Sequence, residues 1–153
     1  MIKYKFFLFI LILLTTSCGY HSTHKIDTSK YAIAKFELNG DKIINRLLKR
    51  NFKKFSDQKD IKKIYIIKTN SVKKRTIKAK DRLGNSSSFS MNVRIDVEVK
   101  DSNKIIKFKS FEEKTNYNNL DNKFELKQYE KIVINDLTNK IVNDINYFLL
   151  SIE

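Results

Sequence analysis

The sequence predicts an α+β fold. The expected form is a two-layer sandwich in the order β-α-β-β-β-α, with two helices packed on one face of a mostly antiparallel four-stranded sheet. Three observations carry this reading. Residues 88–100, SFSMNVRIDVEVK, alternate strictly, with Phe89, Met91, Val93, Ile95, Val97 and Val99 toward one side and Ser90, Asn92, Arg94, Asp96, Glu98 and Lys100 toward the other. Period-two alternation marks a strand with one buried face and one wet face. Two segments, 41–55 and 122–152, instead place apolar residues at steps of three and four, as helices with one buried stripe do. Sheets with one apolar face and helices with one apolar stripe bury each other best as two layers.

Each element carries its own signature. YAIAKFEL, residues 31–38, alternates loosely and is rich in aromatic and aliphatic residues, so it is expected to be a strand. Asn39, Gly40 and Asp41 break it and can cap the helix after it. In that helix, DKIINRLLKRNFKKF, residues 41–55, the stripe is Ile43, Ile44, Leu47, Leu48, Phe52 and Phe55, and the opposite face carries Lys42, Arg46, Lys49, Arg50, Lys53 and Lys54. That basic face is either a solvated surface or a contact for an anionic partner. Residues 61–79 read as a long strand with a bulge near Asn70 and Ser71. The turn KDRLGNSS comes next, with Gly84-Asn85 as its signal. After strand 88–100, Asp101, Ser102 and Asn103 turn the chain into a further strand, 104–117. In helix 122–152 the stripe is Ile134, Leu137, Ile141, Ile145, Phe148 and Ile152, widened by Val133, Val142 and Leu149. At 1.5 Å per residue it runs about 45 Å, and a 13-residue strand is similarly long, so helix and sheet can cover one another.

The N-terminal segment is of a different kind. Lys3 and Lys5 precede an apolar run from Phe6 to Leu14, small residues come after it, and then Cys18, the single cysteine. The run is too short for a membrane-spanning helix, which needs about 20 apolar residues, and has the layout of a secretory signal. Thr16-Ser17-Cys18-Gly19 resembles the lipobox of bacterial lipoproteins, although Thr15 stands where Leu is usual. That resemblance implies cleavage before Cys18 and acylation at it. Residues 1–17 are then the signal peptide, 18–30 a flexible tether with a reach of roughly 20 Å, and 31–153 a single domain. A lone cysteine has no partner for an intramolecular disulfide. Asp is absent from the second mature position, which in enteric lipoproteins implies passage to the outer membrane.

Composition bounds the function. Lys and Arg number 31 against 17 Asp and Glu, a formal net charge of +14, and removal of the signal with its two lysines leaves about +12. Such a balance fits an anionic partner or a Lys-biased composition. A nucleic-acid partner suits the charge but not an export signal, so none is expected. Apolar content of 41% suffices for a core. Nothing catalytic is legible. His21 and His24 lie in the tether with no third ligand, so no metal site is expected. The serines Ser86, Ser87 and Ser88 have no histidine in the domain to activate them. The neighbours Glu112 and Glu113 point to opposite faces of a strand, against a paired-carboxylate site. No phosphate-binding glycine loop is present. No enzymatic activity and no cofactor are expected.

The lipidated Cys18-Gly19-Tyr20, the short strand, the amphipathic helix, the three long strands and the closing helix together resemble the LPS-assembly lipoprotein LptE family. The turn Asp81 to Gly84, the strand ending Val99-Lys100-Asp101 and the approach Asn116-Tyr117-Asn118 to the last helix resemble its middle. Near the start, His21-Ser22-Thr23 replaces the basic or proline-containing residues of many members. The resemblance implies an outer-membrane lipoprotein that plugs and stabilises the barrel LptD and binds lipopolysaccharide. Basic residues near the hairpins would bind it: Lys78, Lys80 and Arg82 at one, and Lys104, Lys107 and Lys109 on the last strand. The alternative is an envelope lipoprotein of similar shape serving another cell-envelope assembly.

Overall fold

The computed structural model describes residues 31–53, 64–101 and 104–152. The elements are β1 (Ala32–Gly40), α1 (Lys42–Phe52), β2 (Ile64–Lys80), β3 (Ser86–Asp101), β4 (Lys104–Asn118) and α2 (Lys123–Leu150). The four strands form one sheet in the order β1-β2-β3-β4. The pair β1–β2 is parallel, and β2–β3 and β3–β4 are antiparallel. Both helices lie on one face, as the two-layer reading requires.

The alternation of β3 decides which face is covered. Phe89, Met91, Val93, Ile95, Val97 and Val99 are all buried, the last four completely. Their partners carry the same face across the sheet: Ile67, Thr69 and Ser71 on β2, and Phe111 and Tyr117 on β4. Opposite them, α2 buries Val133, Ile134, Leu137, Ile141, Val142, Ile145 and Leu149, and α1 buries Ile44, Leu48 and Phe52. Each large apolar side chain so buried contributes roughly 1.5–3 kcal/mol. Ile43, at the edge of the α1 stripe, stays 36% exposed.

The loose alternation in the first strand has a definite cause. The β1–β2 register shifts between Ile33 and Lys35. Taking one residue out of the ladder lets Ile33 and Phe36 face the helices although their numbers differ in parity. The bulge expected near Asn70 and Ser71 is absent. Register runs unbroken there, and the β2–β3 irregularities fall between Ile77 and Lys80. Ser71 and Asn70 looked like a break because they are polar in an apolar run. Ser71 instead points inward and is satisfied: its Oγ reaches Asn39 O at 3.2 Å and Asn45 Oδ1 at 2.8 Å.

The corner between β1 and α1 is tightly specified. Gly40 has φ of +96°, a conformation glycine adopts without penalty. The Asp41 N–H then donates to Ser71 O at 2.9 Å, and the Asp41 carboxylate caps α1 by accepting from the N–H groups of Ile43 and Ile44. At the far end, Asn122 caps α2 by accepting from Phe124 and Glu125. The last turn of the chain is locked by Tyr65, whose hydroxyl donates to Ile152 O at 3.2 Å. Strand β3 has 16 residues and α2 has 28, lengths of about 54 Å and 42 Å. The sheet therefore outruns the helix.

Candidate functional site

The six basic residues singled out from the sequence do not form one site. Lys80 pairs with Ser86 at the start of β3, whereas Lys104, Lys107 and Lys109 pair with Asp101, Val99 and Val97 at its end. The groups are thus separated by about 35–50 Å along β3. All six are exposed, and among the described residues none joins an ion pair.

The β2–β3 tip is built to present its cations rigidly. Asp81 Oδ1 accepts from the N–H groups of Leu83 at 2.9 Å and Asn85 at 2.8 Å, an Asx-type turn. These bonds, that from Asn85 foremost, hold the Asp81 carboxyl below the ordinary aspartate range. Gly84, with φ of +84°, closes the loop. Arg82 and the 86% exposed Leu83 stand side by side on this frame. At the opposite end, Lys109 Nζ lies 5.0 Å from the Phe111 ring centre and 5.5 Å from that of Phe148. Ile105 and Phe108 are exposed at this end too, but opposite Lys100 and Glu98, on the uncovered face and not beside Lys109. Each end therefore carries both cations and an exposed apolar side chain, the combination that suits a phosphate-bearing amphiphile.

Between the ends, the uncovered sheet face is mainly polar and tied together, with Val72 the exposed apolar side chain among its central residues. Asn92 donates to Glu112 at 2.6 Å, Ser110 donates to Asp96 at 2.6 Å, and Arg94 bridges Asp96 at 3.0 Å. The Ser110 hydroxyl, with Arg94 behind it, holds the Asp96 carboxyl down. Lys100 pairs Glu98 at 3.1 Å and Lys35 pairs Glu37 at 2.8 Å. Glu112 and Glu113 sit opposite Arg94 and Val93 respectively, on different faces. Such a surface is stable in water or against a polar wall.

Sequence reasoning missed a third basic feature. A groove of about 270 Å³ lies between the two helices, lined by Ile43, Lys73, Arg75, Met91, Lys127, Glu130, Lys131 and Ile134. The Arg75 guanidinium stacks 3.6 Å above the Phe89 ring, and its Nε meets Glu130 Oε1 at 2.9 Å. The Tyr117 hydroxyl donates to the same oxygen at 2.7 Å. Burial, and then the Glu130 carboxylate, push the Tyr117 phenol up to about 12. Lys73 pairs the Asp41 cap at 2.9 Å. Burial pushes the Asp41 carboxyl up, but Lys73 and the N–H groups of Ile44 and Ile43 prevail and hold it below its usual value. The signal was available: Lys73 and Arg75 occupy the inward parity of β2, where an unpaired cation would be costly.

Cys18, His21 and His24 lie outside the described residues. Among the described residues no group of three His, Cys, Asp or Glu could hold a metal, and no helix is long and apolar enough to cross a membrane.

No protein-family model matches the chain, and no curated protein matches it. Solved structures do. The rare lipoprotein B of Shewanella oneidensis superposes with a TM-score of 0.54 at 12% identity, covering 76% of this chain and 96% of that one. The uncharacterized lipoprotein B of Nitrosomonas europaea gives a TM-score of 0.56 at 16% identity, over 78% of this chain and 83% of that one. A minor lipoprotein of Acinetobacter baumannii gives 0.51 at 15% identity, over 74% and 90%. The fold is therefore shared with these proteins over most of their length, and the described residues form the expected α+β sandwich.

Proposed function

We propose that this chain is a lipid-anchored protein of the bacterial envelope that serves lipopolysaccharide assembly at the outer membrane in the manner of LptE. It seats in the lumen of a β-barrel such as LptD, stabilises it, and contacts lipopolysaccharide in transit. The observation that carries the reading is the mainly polar, hydrogen-bonded sheet face flanked by a cation cluster at each end. A barrel lumen is polar, and the mainly polar character of this face suits contact with such a wall. Clusters at both ends suit an elongated plug that meets an anionic amphiphile at either mouth of the barrel. The likeness in fold to three structures named as lipoproteins supports the anchor, as does the lipobox at Cys18. The protein acts by binding and shape, without a catalytic step and without nucleic acid.

Extraction of the tagged protein from cells in mild detergent tests the proposal. Co-purification with one large outer-membrane barrel protein is the expected result. Recovery as a free monomer overturns it, and recovery with a different envelope assembly shifts the reading to an interaction module for that assembly.

A further inference from the structure

The basic face of α1 takes no part in the core, the groove or the hairpin clusters. We propose that it docks on an anionic bilayer leaflet. At 100° per residue, Lys42, Arg46, Lys49, Arg50 and Lys53 fall within an arc of about 100°, opposite the buried stripe of Ile44, Leu48 and Phe52. The helix holds no carboxylate. Among the described residues, Lys42, Arg46, Lys49 and Arg50 enter no ion pair. Lys42 and Arg46, and Arg46 and Arg50, stand four apart, where like charges repel. Nothing on the helix relieves that repulsion; a negative surface would.

Two further observations choose a membrane over another anion. An apolar slot of about 180 Å³ borders the cations, formed by Ile33, Ala34, Phe36 and Phe52 with Lys49 and Lys53 at its rim. Apolar surface beside lysines matches a bilayer interface, where the stems lie against the acyl boundary and the ammonium groups reach the phosphates. The slot also lies at the start of β1. Twelve residues separate Cys18 from Tyr31, and covalent geometry limits that span to about 45 Å. A lipid on Cys18 therefore holds the start of β1 within about 45 Å of a leaflet, in reach of it. The inference shares only the anchor with the barrel reading.

The test uses the mature chain, residues 18–153, carrying Cys18→Ala so that no acyl group confounds it, with vesicles of phosphatidylcholine alone or with 30% phosphatidylglycerol. Co-sedimentation is expected only with the anionic vesicles and should weaken with salt. Each cation at such a surface contributes about 1 kcal/mol, or roughly fivefold. Four such cations correspond to several hundredfold if all reach the surface, so K42Q/R46Q/K49Q/R50Q should lose at least about tenfold in partitioning even if only two do. The control K78Q/K80Q/R82Q/K104Q removes the same charge from the hairpins and should lose less than about threefold. Equal losses would mean that net charge alone drives adhesion, and would overturn the proposal, as would no binding by the parent. A spin label at Lys49→Cys should be shielded from aqueous quenchers, and one at Lys74→Cys on the uncovered sheet face should not; the reverse order also overturns it. The assay contains no barrel, so its failure leaves the barrel reading standing, and failure of co-purification leaves this one.

Discussion

Replacing Gly40 by alanine should unfold the protein far more readily than the same change at Gly84, and the difference can be worked out in advance. Both glycines hold positive φ, +96° and +84°, so both substitutions incur the left-handed strain of about 1–2 kcal/mol. Around Gly84 a Cβ meets nothing within 4 Å, and the cost ends there. At Gly40 the new Cβ collides with the Ser71 carbonyl oxygen and lies 2.8 Å from the Ser71 C and N atoms. Those are backbone atoms and cannot swing aside. The β1 corner must move off β2, breaking the Asp41 N–H to Ser71 O bond and the Ser71 Oγ bond to Asn45. At about 1 kcal/mol each, with a similar loss for the displaced Asp41 cap, the added cost is about 3 kcal/mol. Urea denaturation monitored by far-ultraviolet circular dichroism measures both variants against the parent. If Gly40→Ala falls within about 1 kcal/mol of Gly84→Ala, the close approach of β1 to β2 does not position α1 as argued.

Other expectations concern charge. The Asp41 carboxyl is depressed in the folded state, so its stabilisation is complete above the unfolded aspartate value and is lost as pH falls through the folded one. Asp41→Asn should lower the urea midpoint at pH 7 and flatten its decline between about pH 5 and 2; an unchanged pH slope would show that Lys73 and the capping N–H groups do not hold the carboxyl down. Tyr117 should titrate near 12 by ultraviolet absorbance, and Glu130→Gln should bring it down. Because that phenol is raised, its contribution holds below the unfolded tyrosine value of about 10 and fades as pH climbs toward 12. Arg46→Gln relieves like-charge neighbours at Lys42, Lys49 and Arg50 and should stabilise the protein at low salt by about 0.5–1 kcal/mol; no gain in a calorimetric scan contradicts the self-repulsion. Cys18→Ala should abolish labelling by radioactive palmitate, and retained label would place the acyl group elsewhere.

Much of the fold could be read from periodicity because β3 alternates without exception. Its inward set implies the pairing of β2 and β4 and the need for a covering helix layer. The parallel β1 was harder, because the bulge at Ala34 switches parity between Ile33 and Phe36 and leaves an ambiguous pattern. Ser71 misled for the opposite reason: its polarity serves a buried hydrogen bond to Asn45, which no local rule reveals. The two groups of basic candidates, Lys78, Lys80 and Arg82 and then Lys104, Lys107 and Lys109, fall far apart because successive hairpins on one strand lie at its opposite ends, as the antiparallel reading already implied. Lys73 and Arg75 were legible as inward-facing cations, but their partners Asp41 and Glu130 come from two different helical segments. Only the tertiary fold brings those together.

The account stands most directly on what the uncovered sheet face touches in the cell. A photoreactive residue in place of Lys74, on that face and far from both hairpin tips, combined with irradiation of living cells and identification of the conjugate, measures this. The account predicts a single major adduct to a large outer-membrane β-barrel. A face that crosslinks to nothing while the protein is anchored and folded would contradict it.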